Sequence, residues 1–222
     1  MRKKVEIDDQ IDPKNNANIN CYNKINLTDI NNQKEFVDFG TTTYTEKTRA
    51  VIKVQDGCNN FCSYCIIPYA KGRVRSRKLE NIIKEITSIA KKGIKEVVIT
   101  GIHVASYGID FKDNNIRLID LLEEINKIEE IKRIRLGSLE PNLITDEFVE
   151  RLKKVDKICD HFHLSLQSGC LETLKRMNRK YTPEDFDKVV KRLRKAFPNV
   201  ALTTDIIVGF PRRNWRGVWK YI

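Results

Sequence analysis

The apolar positions of this chain fall into two periods that alternate from Arg49 onward. Short β-branched runs read as strands, and apolar residues spaced three and four apart read as helices. Ala50 to Val54 is the first predicted strand. Leu79, Ile82, Ile83, Ile86, Ile89 and Ala90 then recur at helical spacing, and Gly93 ends that helix. Glu96 to Thr100 is a second strand, and Leu118, Leu121, Leu122, Ile125 and Ile128 mark a second helix. Arg133 to Leu136 is a third strand, broken by Glu140-Pro141. Thr145 caps a third helix carrying Phe148, Val149 and Leu152. His161 to Leu166 is a fourth strand. Thr182 and Pro183 open a long fourth helix, with Phe186, Val189, Val190 and Leu193 along its apolar stripe. Ala201 to Val208 is the last strand. Ahead of this region the chain is polar and rich in Asn, Asp and Lys, with Thr41 to Tyr44 as a short edge strand. The alternation predicts an α/β fold with parallel strands and right-handed crossovers, closed as a barrel or left as an open sheet.

In such folds the chemistry sits at the carboxyl ends of the strands. The segment after the first strand reads Gly57-Cys58-Asn59-Asn60-Phe61-Cys62-Ser63-Tyr64-Cys65, a C-x3-C-x2-C run. Three closely spaced thiolates can bind three irons of a cubane iron–sulfur cluster, leaving the fourth iron open to a substrate or cofactor. Zinc is the competing occupant, although a structural zinc site usually draws on two separated ligand pairs. His103, His161 and His163 are far from the triplet in sequence and do not complete such a pattern. Thr100-Gly101-Ile102-His103, Gly137-Ser138-Leu139-Glu140-Pro141 and Ser165-Leu166-Gln167-Ser168-Gly169 arrive at the same rim. Each alone is ordinary turn chemistry. Three of them beside a cysteine loop predict a cofactor pocket.

Composition narrows this picture without deciding it. The 222 residues suffice for one sizeable core. No apolar run approaches the ~20 residues of a membrane span, and no secretory h-region is visible, so a cytoplasmic location is expected. Six cysteines, three of them clustered, point to metal ligation in a reducing compartment; Cys21, Cys159 and Cys170 read as plain thiols. The net charge of +11 favours a polyanionic partner, but the joint excess of Lys, Asn and Ile also fits AT-rich coding. Two local groups say more: Lys71, Arg73, Arg75, Arg77 and Lys78, and Lys175, Arg176, Arg179 and Lys180. Arginine forks suit phosphate oxygens. The first group is therefore either a phosphate contact beside the cysteine loop or a solvated loop.

The triplet is the signature of the radical SAM superfamily, and the surrounding motifs resemble its methylthiotransferase branch. They are Val54 to Pro68, Gly72-Arg73-Val74-Arg75-Ser76-Arg77, Thr100-Gly101-Ile102-His103, Ser138-Leu139-Glu140-Pro141, His163 to Gly169, and Leu174 to Tyr181. Thr-Gly-Ile-His at 100–103 is most similar to the subgroup acting on threonylcarbamoyladenosine beside the tRNA anticodon. The resemblance covers about residues 35–211. It implies a radical SAM type of partial (βα) barrel and a 4Fe-4S cluster on Cys58, Cys62 and Cys65. It implies S-adenosyl-L-methionine (SAM) on the open iron, cleaved to a 5'-deoxyadenosyl radical, and transfer of a methylthio group to carbon 2 of the adenine. Expected partners are tRNA and a low-potential electron donor such as flavodoxin or ferredoxin. Glu140 and Gln167 are candidate polar contacts for SAM. Tyr64 either packs near the adenine or shields the cluster. A target such as isopentenyladenosine tRNA or a ribosomal protein, and a non-catalytic RNA-binding remnant, stay open as alternatives.

The chain also departs from that family. A second 4Fe-4S cluster is expected on three cysteines of an N-terminal domain, and Cys21 is the one cysteine before the triplet. Residues 1–45 therefore read as a linker or remnant of that domain, 46–211 as an incomplete core, and 212–222 as an aberrant tail. The C-terminal RNA-binding domain is not among these residues. After Pro211 the family continues Gly-Glu-Thr, whereas this chain reads Arg212-Arg213-Asn214-Trp215. AT-rich back-translation read from the second base restores Gly-Glu-Thr-Gly-Glu-Glu-Phe. A one-base shift, in the gene or its sequencing, is thus the expectation, against genuine divergence. The barrel is expected to be open, with its last strand a poorly protected edge and activity impaired.

Overall fold

The computed structural model describes residues 3–4, 28–38, 48–112 and 115–211, with 3, 4 and 28 described by backbone alone. Cys21, the strand expected at Thr41 to Tyr44 and the tail from Arg212 lie outside the described residues. The first two strands, Lys3–Lys4 (β1) and Thr28–Asp29 (β2), form a short antiparallel ladder of their own.

The predicted alternation of strand and helix is observed. The strand at Ala50 to Val54 extends over Arg49–Asp56 (β3). A short helix, Ile67–Ala70 (α1), and a short strand, Arg75–Ser76 (β4), follow the cysteine loop. Then come Leu79–Lys91 (α2), Glu96–Gly101 (β5), Leu118–Asn126 (α3), Arg133–Leu136 (β6), Asp146–Leu152 (α4), His161–His163 (β7), Leu171–Arg176 (α5), Pro183–Ala196 (α6) and Ala201–Thr203 (β8). β3, β5 and β6 pair in parallel, and β4 pairs antiparallel on the outer side of β3. β7 and β8 form a separate parallel pair, joined to the main sheet by the single bridges Ile134–Ile158 and Leu139–Leu164. The result is an open partial (βα) barrel.

Alternation along β3 explains which face is covered. Ala50, Ile52 and Val54 are buried, whereas Val51 between them is 48% exposed. The buried face receives Ile82, Ile86 and Ile89 of α2, and the same core takes in Leu121, Leu122 and Ile125 of α3. Phe148, Val149 and Leu152 of α4 and Val189 and Leu193 of α6 continue it. Each set follows the three-and-four spacing read from the sequence. Among the described residues no helix is long and apolar enough to cross a membrane.

Three differences from expectation have local causes. The strands predicted over His161 to Leu166 and Ala201 to Val208 are cut to three residues each. There the Thr204 side chain enters the ladder, its hydroxyl donating to Leu164 O at 2.6 Å while Oγ1 accepts from Leu166 N at 3.1 Å. Second, residues 30–38, read from sequence as part of a linker or domain remnant, meet β3 and the segment after the cysteine loop. Asp38 pairs with Arg77 at 2.6 Å, and Lys53 Nζ stands 5.8 Å over the Phe36 ring.

Third, the first basic group is neither a phosphate surface nor a solvated loop as a whole. Arg75 and Arg77 are 3% and 6% exposed. Arg77 joins Glu85 and Asp38, and Arg75 donates to the carbonyls of Lys71 and Arg73. Their hydrogen-bonding groups are committed to the fold, so only Lys71, Arg73 and Lys78 of that group are exposed.

Candidate active site

Segments that follow β3, β5, β6 and β7 contribute to one polar cluster. The cysteine loop begins where Gly57 turns the chain at φ 71°; a Cβ there would lie 1.8 Å from Arg73 O. Only glycine tolerates that approach. Cys58 N then donates to Gly72 O at 3.1 Å, and Cys65 N donates to Cys62 O at 2.9 Å. Phe61 sits between the ligand positions in the left-handed region, φ 50°. Its ring is held edge-on by Tyr69 at 5.6 Å and covered by the Arg73 guanidinium at 4.5 Å. This strained backbone is over-determined from outside. Asn178 Nδ2 donates to Phe61 O at 2.9 Å, and Ser63 N donates to Met177 O at 3.1 Å. The residues just after α5 thus clamp the loop that carries the thiols.

Glu140 is the hub behind that loop. It is 8% exposed, at the turn after β6. Its Oε2 accepts from Asn60 Nδ2 at 3.0 Å and from His103 Nε2 at 2.7 Å. Its Oε1 pairs with Arg179 Nη2 at 2.9 Å. Burial alone would push this carboxyl up, but the His103 hydrogen bond, the Arg179 charge and the Asn60 amide outweigh it and hold it below the usual range. A carboxylate only accepts, so His103 Nε2 donates to it, and Nδ1 of the same ring is hydrogen-bonded to the Ser106 hydroxyl. Gln55, fully buried at the end of β3, fixes the start of the same loop by accepting from His103 N at 2.8 Å.

The thiols meet this hub directly. Arg179 Nη1 donates to Cys62 Sγ at 3.4 Å, and Asn60 N donates to Cys58 Sγ at 3.4 Å. Burial raises the Cys58 thiol; the Asn60 N–H opposes this, and the neighbouring Cys62, Cys65 and Glu140 reinforce it. The Tyr64 phenol is pushed up to about 12, by burial first, and its ring meets Phe210 edge-on at 6.4 Å.

Among the described residues no three Cys, His, Asp or Glu side chains converge as ligands of a single ion. The three thiols are nonetheless on one loop and within electrostatic reach of each other. That donor set fits a cubane cluster, whose separate iron corners spread their thiolates apart. The N–H groups aimed at Cys58 and Cys62 are the partners such thiolates take.

Of the residues singled out from sequence, Cys58, Cys62, Cys65 and Glu140 are brought together. Gln167 stands on the neighbouring loop in a left-handed conformation, φ 65°. It is held there by its backbone, with Gln167 N donating to Asp205 O and Ile207 N donating to Gln167 O, both at 2.9 Å. Cys159 and Cys170 are placed elsewhere, and the Cys170 thiol donates to Glu172. Sequence reasoning did not single out Asn60, Gln55, His103 or Arg179 as a set. They are 37 to 117 positions from their partners, and no periodicity links them.

Comparison with known proteins bears on the same loops. The chain is 46% identical over 186 residues to the threonylcarbamoyladenosine tRNA methylthiotransferase MtaB of Bacillus subtilis, covering 83% of this chain and 41% of that protein. It is 47% identical over 170 residues to a tRNA-2-methylthio-N(6)-dimethylallyladenosine synthase of Caldicellulosiruptor saccharolyticus, covering 77% of this chain and 36% of the relative. The chain thus spans about two-fifths of the length of these relatives. Its fold matches that of TsrM, a radical S-adenosylmethionine methyltransferase of Kitasatospora setae, with TM-score 0.61 and 19% identity over 76% of this chain and 32% of that one. The family model of the radical SAM superfamily matches residues 52–222, from the strand that leads into the cysteine loop onward. With most of its length under that match, this chain belongs to the radical SAM superfamily.

Proposed function

We propose that this chain is the radical-generating core of a tRNA methylthiotransferase acting on threonylcarbamoyladenosine beside the anticodon. One observation carries the reading: the three-thiol loop after β3 stands against the Asn60–His103–Glu140–Arg179 cluster, with Asn60 N on Cys58 Sγ and Arg179 on Cys62 Sγ. Similarity to the Bacillus subtilis relative, whose name specifies threonylcarbamoyladenosine, supports the substrate. In this proposal Cys58, Cys62 and Cys65 hold a 4Fe-4S cluster. With SAM on its open iron, that group supplies a 5'-deoxyadenosyl radical able to activate a C–H bond.

The chain's own residues do the positioning. Gly57, Phe61 and Asn178 fix the loop backbone, and Asn60 and Arg179 supply hydrogen bonds to sulfur. Asn60 and His103 both donate to Glu140 Oε2, while among the described residues Oε1 receives Arg179, and a carboxylate oxygen has lone-pair capacity for a second donor. The ammonium of SAM is a group that could use it. The resemblance assigns sulfur delivery to a second cluster on other cysteines, so cluster binding and SAM cleavage are the steps assigned to these residues.

Anaerobic reconstitution of the 222-residue chain should give one 4Fe-4S cluster and reductant-dependent 5'-deoxyadenosine. Cys58→Ala, Cys62→Ala and Cys65→Ala should each abolish both. Two clusters per chain, or a cluster that survives those changes, sinks the assignment. Nucleoside mass spectrometry of a deletion strain tests the substrate, through loss of the methylthio group from threonylcarbamoyladenosine. A second reading, dimethylallyladenosine as target, is favoured by relatives of that name at 47% identity, and the same measurement separates the two.

A further inference from the structure

Arg179 is the charged donor on the thiol loop, and its surroundings fix it in place. Its side chain is 6% exposed. Nε donates to Tyr181 OH at 3.0 Å, and Nη2 reaches Ser165 O at 3.3 Å and Glu140 Oε1 at 2.9 Å. The guanidinium also lies 4.9 Å over the Tyr181 ring. Tyr181 is anchored in turn, its hydroxyl donating to the carbonyls of Ser165 and Leu166. Three of the five guanidinium N–H groups are thereby given directions, and one on Nη1 points at Cys62 Sγ, 3.4 Å away. Burying a cation this completely is costly unless it is paired, and Glu140 pairs it. A mobile surface lysine would serve charge balance alone; a planar fork held at three points serves direction.

We propose that Arg179 is a redox-positioning residue: held by Glu140, Tyr181 and Ser165, it directs one N–H and its positive charge at the Cys62 sulfur and makes a cluster on the triplet easier to reduce. The inference rests on the cluster assignment made above. Reduction adds one electron from an external low-potential donor, and no protein bond forms or breaks. The added negative charge spreads onto the thiolate sulfurs. A charged donor on sulfur stabilises the reduced state more than the oxidised one, so the midpoint potential rises. Cys58 receives a neutral backbone N–H instead, a weaker influence of the same sign.

The test is a potentiometric titration of the reconstituted full chain, followed by electron paramagnetic resonance, with dithionite as reductant and no SAM. In Arg179→Met, compared per assembled cluster by measured iron and sulfide, reduction should be about tenfold less favourable, a shift of about 59 mV to more negative potential. Arg179→Lys, which keeps charge but not the fork, should fall between. If Arg179→Met is insoluble, Arg179→Gln carries the same expectation. An unchanged midpoint in a fully loaded Arg179→Met or Arg179→Gln protein overturns the proposal. Failure of the unsubstituted chain to bind a cluster would instead overturn the assignment of the triplet, and iron content reads that separately.

Discussion

At the scale of single residues, Glu140 decides how the site is held together. It is a buried carboxylate with three donors, from Asn60, His103 and Arg179. Its carboxyl is held below the ordinary value of 4.5. A group depressed in the folded state adds stability that is present above its unfolded pKa and lost as pH falls through the folded one. Glu140→Gln should therefore destabilise the chain at neutral pH by about 3–5 kcal/mol, because it leaves Arg179 buried and unpaired. The gap to the unsubstituted protein should close as pH drops below about 4.5. Denaturant unfolding over a pH series measures this, and a gap independent of pH would remove Glu140 from the role given it. Arg77 shows the converse: in sequence it looks like a phosphate ligand, and in the fold it is spent on Glu85 and Asp38. Side-chain chemistry was legible there, but its partner was not.

At the scale of elements, the long helices were legible because caps and apolar stripes are local. In α6 the Thr182 hydroxyl accepts from Asp185 N at 3.1 Å while the Asp185 carboxylate accepts from Thr182 N at 3.1 Å. Two otherwise unpaired N–H groups are satisfied reciprocally. Thr182→Ala should cost about 1 kcal/mol in denaturant unfolding, with no change in iron content after reconstitution; a loss of cluster would show that α6 supports the site more directly. The short elements were not legible. α1, β4 and α5 span 4, 2 and 6 residues, too few for a period to show. α5 nonetheless leads into Met177 and Asn178, which hold the cysteine loop.

At the scale of the whole molecule, the sheet does not close among the described residues. β8 pairs with β7 through three residues, whereas β3 is paired on both sides, with β4 and β5. Its Ala201 and Thr203 are exposed. An edge strand with few buried contacts opens locally at low cost. Amide hydrogen exchange should therefore find Ala201–Thr203 exchanging well ahead of Ile52 and Ile99. Equal protection would mean that the edge is covered in solution, by another part of the chain or by a second molecule.

The sequence by itself determined the order of the longer strands and helices, because hydrophobic period and capping act within a few residues. It singled out the cysteine triplet as the candidate centre, because the spacing of Cys58, Cys62 and Cys65 is a local property. Only the tertiary structure decided what surrounds that centre. Asn60, His103, Glu140 and Arg179 come from four separate loops, and no local rule relates them. It also decided which arginines are free, since Arg75 and Arg77 are consumed by burial while Arg73 is left exposed over Phe61. Burial and charge pairing depend on what the fold brings near, and that is not written at any one position in the chain.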